Sequence, residues 1–352
     1  TNATGSYVFD ELTEWADYTV IPKKDDFHAN GITTFDVILL QKHAVGSSLI
    51  TNPYQLIAGD INKSGTITTL DIIQLRKMVL GVDTRFADNT SWRFVDAEYR
   101  FANPSNPFAD AIPEVKNINN LDGAEEANFF AIKIGDLNGS AAAYVQPRSK
   151  ERFVISGQAT NRMLEAGQEY QIDFSASGLE TIQGYQFSMQ LGADVELVDI
   201  VYGESQAEHF GVFANQGVIT TSWNGKAVSE AMFSLVVRPE QGMALGDVVQ
   251  LSNRYTPGEA YRVNSEQIMD VVLKVSSSAA GFVTNALYQN RPNPFMGETQ
   301  IRFELGSASK ASLKLRDVTG RIVKVVEGDY GVGIHEVRIK HTELPAAGVY
   351  YY

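Results

Sequence analysis

The strongest constraint on this chain is that part of it is written twice. One fixed offset carries Asp25 onto Asp60, the run ITTFD (32–36) onto ITTLD (67–71), Lys42 onto Lys77 and Gly46 onto Gly81. The same offset lays VILLQKHAV (37–45) over IIQLRKMVL (72–80), two apolar runs with helical spacing. A polar loop followed by a helix therefore occurs twice in register. Independent polar turns have no reason to share a register with the helices after them, so the two copies are expected to fold as a related pair.

The second copy, GDINKSGTITTLD (59–71), carries oxygen donors at alternate positions. With Asp60 as the first, Asn62, Ser64, Thr66, Thr68 and Asp71 fall at the third, fifth, seventh, ninth and twelfth places. Calcium takes six to eight hard oxygens at about 2.4 Å, and alternate residues of a tight loop can point inward to supply them. Gly65 stands at the sixth place, where a sharp turn is needed. Thr66 would contribute its carbonyl, and Asp71 lies in the first turn of the helix, where the macrodipole favours an anion. A plain polar turn with Asp71 as a cap would use the same residues, and the duplication is what favours the ion. In the first copy Phe27 and Ala29 replace Asn62 and Ser64, and Asn30 replaces Gly65. Asn tolerates the left-handed backbone of such a turn. Asp25, Asp26, Asn30 and Asp36 remain as a degenerate candidate set. A third polar cluster, KIGDLNGSA (133–141), has Asp136 two places before Asn138 but no closing donor after it, and reads as an Asn-Gly turn.

On these residues, the stretch from Asp25 to Gly81 resembles a type I dockerin, a calcium-dependent pair of loop–helix repeats that binds cohesin domains. The resemblance implies Ca2+ held by Asp60, Asn62, Ser64, the Thr66 carbonyl and Asp71, with Thr68 acting through water. It also implies that Thr34 and Phe35, and their counterparts Thr69 and Leu70, contact the partner.

From Phe153 to Val275 the pattern changes to short alternating stretches such as YQIDFSAS, GYQFSMQL and GVITTSWNG, punctuated by Gly and Asn. That is the signature of an all-β sandwich. GYQFSMQLGADVELVDIVYG, followed by GVITTSWNG and AMFSLVVRP, resembles the strands of a cohesin domain. Trp223 and the tyrosines could form a sugar platform, although a core tryptophan is the commoner use. SSSAAG (276–281) reads as a flexible joint. Beyond it, Ile301, Phe303 and Leu305 alternate with Arg302 and Glu304, as do Leu313 and Leu315 with Lys314 and Arg316, which marks strands with one wet side.

LYQNRPNPFMGETQIRFEL, LKLRDVTGRIVKVV and LPAAGVYYY stand in that order from Leu287 onward. Together they closely resemble the C-terminal sorting domain of the type IX secretion system of Bacteroidota. The resemblance implies export across the outer membrane, to the cell surface or the medium, through machinery that reads residues 287–352. Relatives usually run a few residues past the last strand. The first residues lack both a signal-peptide pattern and an initiator Met, as expected of a processed chain or a piece of a longer one.

The expected fold is multi-domain. An α-rich dockerin-like duplication with flanking segments (1–148) precedes two all-β sandwiches, one cohesin-like (149–278) and one immunoglobulin-like (282–352). With 29 basic and 42 acidic side chains the net charge is −13, which disfavours a nucleic-acid partner. Cysteine is absent, so disulfides and thiolate chemistry are excluded. No apolar run reaches the ~18 residues of a membrane helix. The five histidines (His28, His43, His209, His335, His341) form no H-x-x-x-H pair, and there is no G-x-S-x-G elbow or phosphate loop. The chain is therefore expected to be a non-catalytic extracellular assembly or adhesion protein. Its calcium-stabilised module would dock on a β-sandwich, either of the same chain or of a neighbouring copy in a head-to-tail filament. Two alternatives are a carbohydrate-binding or accessory tail of a larger hydrolase, and cargo recognised by the export machinery.

Overall fold

The computed structural model describes residues 5–141, 148–161, 163–265, 267–277, 286–305, 309–331 and 333–352. It divides into two compact units, Thr1–Ser276 and Ser277–Tyr352. Most of the expected joint at 276–281 lies outside the described residues. The expected dockerin-like and cohesin-like regions thus fall within one unit.

The first unit opens with β1 (Tyr18–Val20), α1 (Thr34–Ala44), α2 (Pro53–Gly59) and α3 (Thr69–Val79), then β2 (Trp92–Asp96), β3 (Lys116–Ile118) and β4 (Phe129–Lys133). These three are the α-helices among the described residues, so the region is less helical than an α-rich duplication. After Leu80 it is mostly loop, braced by the antiparallel pairs β1–β3 and β2–β4. The helical halves of the two copies match in backbone detail, while their loops turn at different positions, Phe27 and Gly31 in the first and Lys63 and Gly65 in the second. Both α1 and α3 begin at a Thr cap whose side chain and an Asp three residues on form a capping box, Thr33 with Asp36 and Thr68 with Asp71. Both helices end at a left-handed glycine, Gly46 at φ 73° and Gly81 at φ 71°. The Gly46 and Ser47 amides bond back to the His43 and Lys42 carbonyls, and the Gly81 and Val82 amides to those of Met78 and Lys77. Val37, Leu40, Ile57, Leu75 and Met78 close a shared core between the helices.

The same unit continues as β5 (Arg148–Ala159), β6 (Met163–Leu164), β7 (Tyr170–Ser175), β8 (Ile182–Leu191), β9 (Val195–Tyr202), β10 (Phe210–Phe213), β11 (Val218–Asn224), β12 (Ala231–Pro239), β13 (Met243–Ala244), β14 (Val249–Ser252), β15 (Glu259–Arg262) and β16 (Ile268–Ser277). Ten of these form a sheet in the order β10-β11-β8-β15-β16-β5-β7-β12-β9, with β14 also on β8, while β6 and β13 clip together separately. The sheet curls so that its inward residues, among them Ile155, Phe174, Phe187 and Leu235, share one core. Tyr185 stacks between Trp223 and Phe187, with centroids 5.2 and 5.7 Å away. Period-two alternation then points Gln186 and Ser188 of β8, and Thr220 and Ser222 of β11, to the outer face. On an exposed sheet these groups would be wet, yet all four are at 0% exposure.

The second unit contains β17 (Ala286–Leu287), β18 (Glu298–Leu305), β19 (Ser309–Arg316), β20 (Ile322–Tyr330) and β21 (Gly333–Lys340). They pair as β17-β18-β21 and β19-β20. The expected inward residues Ile301, Phe303, Leu305, Leu313 and Leu315 are buried together with Val337 and Ile339. The DVTGR segment turns between β19 and β20: Asp317 Oδ1 accepts the Thr319 and Arg321 amides, and Gly320 sits at φ 84°. No helix among the described residues is long and apolar enough to cross a membrane.

Candidate docking face and ion-binding loops

What covers the outer face of the sandwich is the chain's own helices. At the start of α1 the Thr34 amide donates to Gln186 Oε1 at 2.5 Å, and the Thr34 and Ser222 hydroxyls lie 2.7 Å apart. Phe35 packs on Tyr261 with centroids 5.4 Å apart, and Ile38 is buried with Tyr261 and Ile268. Gly184 on β8 makes room: a Cβ there would lie 2.7 Å from Ile38 Cδ1 and 3.0 Å from the Trp223 carbonyl oxygen. Further along α1, Lys42 Nζ donates to Gln183 Oε1 at 2.7 Å, and Gln41 bonds Asn224.

The far end of α3 completes the contact. The Thr220 and Thr256 hydroxyls donate to the Leu80 and Val79 carbonyls at 2.7 and 2.6 Å, satisfying acceptors that a helix end leaves free. Arg76, 8% exposed, bonds Glu208 at 3.0 Å and Asn224 at 2.6 Å. Burial lowers its pKa and Glu208 opposes the shift. Beside it, burial and then the Arg76 charge push His209 down to about 4, so His209 is neutral at pH 7. Each buried polar group without a partner would cost about 1–3 kcal/mol, so the polar strand face and the two helix ends are chemically matched. Of the sequence-predicted docking residues, Thr34 and Phe35 lie in this contact. Their counterparts Thr69 and Leu70 are exposed, Leu70 at 51%.

In the second loop the predicted donors converge. Asp60 and Asp71 are almost fully buried. Asp60 Oδ1 and Oδ2 accept the Ser64 and Gly65 amides at 2.8 and 2.9 Å. Asp71 Oδ1 accepts the Ile61 amide at 2.9 Å, and Asn62 Oδ1 accepts the Ser64 amide at 3.0 Å. The Ser64 hydroxyl donates to the Thr66 carbonyl at 3.1 Å. Thr68 is engaged as the helix cap, donating to Asp71 Oδ2 at 3.0 Å and accepting the Leu70 amide. Burial raises the Asp60 pKa and the Asp71 charge adds to the shift, against the loop amides, which lower it. The donor set is all oxygen, two carboxylates with amide, hydroxyl and carbonyl groups, and such a set fits a hard cation like Ca2+. Among the described residues no three His, Asp or Glu side chains gather as a metal cluster, so the neutral oxygens are essential to the set.

The first loop is not assembled as the sequence predicted. Asp25 turns away to accept the Ser91 amide at 2.8 Å and to pair with Arg85 at 3.0 Å. Asp26 is exposed beside Lys24, and Asn30 is exposed in a turn closed by its own amide on the Phe27 carbonyl. Asp36, fully buried, instead accepts the amide of Leu137 at 2.8 Å. Burial, with the nearby Asp136 charge, pushes Asp36 up to about 7. KIGDLNGSA is therefore no isolated Asn-Gly turn. The signal that could have found it is the shared spelling of GDINKSG (59–65) and GDLNGSA (135–141), which falls outside the repeat offset.

Trp223 is 3% exposed and donates its indole N–H to the Glu204 carbonyl at 2.9 Å, so it is a core residue and no sugar platform.

No protein-family model matches the chain, and no curated protein matches it. Among solved structures, it is similar to a type I cohesin–dockerin complex from Clostridium thermocellum, at 10% identity over 38% of this chain and 98% of the other, with a TM-score of 0.28. It is also similar to a type II cohesin from Bacteroides cellulosolvens, at 9% identity over 35% and 99%, TM-score 0.28. A non-cellulosomal cohesin from the archaeon Archaeoglobus fulgidus gives 12% identity over 35% and 87%, TM-score 0.25. At these scores the likeness bears on no individual residue of this chain.

Proposed function

We propose that the chain is a non-catalytic extracellular assembly protein whose dockerin-like module is docked on its own cohesin-like sandwich, forming one rigid segment. The observation that carries this reading is the buried polar outer face of β8 and β11, whose Gln186, Ser222 and Thr220 bond α1 and the end of α3. A partner tethered in the same chain meets its face at an effective concentration near millimolar, which a second copy at micromolar concentration cannot match. Self-docking therefore opposes the head-to-tail filament that the same two surfaces could build between chains. Calcium at Asp60, Asn62, Ser64, the Thr66 carbonyl and Asp71 would hold the second loop against α3, fixing the pose of both helices. The C-terminal unit is read as the export signal for type IX secretion, supported by the ordered PNPF, DVTGR and AGVYY segments.

Light scattering and thermal melting of the full chain, with calcium and with EGTA, test the proposal. The expected result is a monomer in both conditions and a lower Tm in EGTA. Calcium-dependent growth into polymers would overturn self-docking, and a Tm indifferent to EGTA would overturn the calcium role.

A further inference from the structure

Between α2 and the β2–β4 pair the first unit opens a cleft of about 380 Å3, lined among others by Tyr54, Gln55, Trp92, Phe130 and Asn138. We propose that this cleft binds an uncharged sugar, with one face of a pyranose ring against the aromatic side chains and its hydroxyls on the polar groups between them. The proposal is independent of how α1 and α3 dock and of whether the second loop holds calcium.

The aromatic wall is held in place by its neighbours. Asn52 caps α2 by accepting the Tyr54 amide at 2.9 Å, which sets Tyr54 in the first turn. The Tyr54 ring lies 4.9 Å from that of Phe130, tilted by 46°, and is braced edge-on by Phe101 at 5.5 Å, itself held edge-on by Tyr99 at 5.0 Å. On β4, Phe130 shares a sheet face with its cross-strand partner Val95 and with Ile132, and both of those are buried. Phe130 nevertheless stays 47% exposed at the cleft, so its ring is open to a ligand.

The polar groups beside these rings are aimed by the fold and left with open valences. Gln55 Nε2 donates to the Leu137 carbonyl at 2.7 Å, which leaves Oε1 as a free acceptor. Asn138 Oδ1 accepts the Ser140 amide at 3.1 Å, which leaves Nδ2 as a free donor. The Trp92 indole N–H and the Tyr54 hydroxyl have no partner among the described residues, and none of these four atoms is shut away from solvent. An apolar ligand would strip water from all four without replacing its hydrogen bonds. A sugar ring, with an apolar C–H face and a rim of hydroxyls, meets the rings and the four polar atoms together.

The charges at the cleft exclude an ionic ligand. The Lys133 ammonium is spent inside the fold, donating to the His28 and Ile134 carbonyls at 2.6 and 2.9 Å and lying over the Phe86 ring. Asp136 is buried, and its two oxygens accept the Ser140 and Ala141 amides at 2.9 and 2.7 Å. No free cation therefore remains at the cleft to hold a carboxylate or phosphate, and what is left for recognition is neutral. The volume lies at the lower end of the range of about 300–1,000 Å3 typical of small-molecule sites, which suits the end of an oligosaccharide.

A glycan array bearing neutral and uronic-acid oligosaccharides, probed with the full chain, tests this, with affinity read by calorimetric titration of the neutral oligosaccharide bound best. Binding to neutral oligosaccharides is expected. Phe130→Ala, which removes an exposed ring, should weaken it about tenfold. Trp92→Phe, which keeps a ring and removes only the indole N–H, should weaken it about two- to tenfold. Both variants should keep the wild-type circular dichroism, and Val228→Ala, at an exposed position on the sandwich, should bind as the wild type does. An array with no neutral oligosaccharide bound, or with uronic acids alone bound, would overturn the proposal, and so would binding that survives both ring variants.

Discussion

Ile38 and Ile73 occupy the same position in the two copies, so by sequence alone their truncation should cost the same. The structure predicts otherwise. Ile38 is 3% exposed and wedged between Tyr261, Ile268 and the bare backbone of Gly184. Ile73 is 44% exposed. A fully buried Ile→Ala change costs about 2–5 kcal/mol, because the lost transfer energy is joined by a cavity the site cannot fill. At Gly184 there is no side chain to move into the gap, which places Ile38→Ala well inside that range. Ile73→Ala removes atoms that are already half in water, and at about 0.8 kcal/mol per buried methylene it should cost about 1 kcal/mol or less. Urea unfolding followed by tryptophan fluorescence reads this directly, since Trp15, Trp92 and Trp223 all lie in the first unit. Hydrogen exchange of the α1 amides should also rise in Ile38→Ala, as the helix loses its seat. Equal losses for the two variants would refute intramolecular docking by α1.

A second prediction concerns acid. His209 is neutral and buried with a folded pKa of about 4, whereas an unfolded histidine titrates near 6.5, so the unfolded chain binds more protons between those values. The stability this provides is complete above about pH 6.5 and is lost as pH falls toward 4, by about 3 kcal/mol. His209→Gln should flatten that part of the profile, and Arg76→Met should raise the His209 pKa measured by NMR; an unperturbed His209 in the wild type would contradict the docked pose. Third, Gly184→Val should cost about 1–3 kcal/mol by driving a side chain into Ile38 and the Trp223 carbonyl. It should raise hydrogen exchange in α1 more than in β12, which lies elsewhere on the sheet; a uniform rise would argue for general unfolding over loss of docking.

What the sequence determined by itself is whatever short-range chemistry decides. The Thr33 and Thr68 caps, the left-handed Gly46 and Gly81, the inward alternation of Ile301, Phe303 and Leu305, and the oxygen donors from Asp60 to Asp71 all follow from residues a few places apart, whose contacts cost little loop-closure entropy. Only the tertiary structure decided which distant groups meet. Ser222 and Thr220 read as a wet strand face, and they are buried because two helix ends reach them from far upstream. Proximity in sequence groups Asp36 with Asp25, and the structure gives it to the Asp136 loop, since a buried carboxylate bonds whichever amide the fold brings within about 3 Å. The choice of Thr34 over Thr69 for docking has the same origin: α1 meets the sandwich with its first turn and α3 with its last, and only packing in three dimensions decides which end of each copy is used.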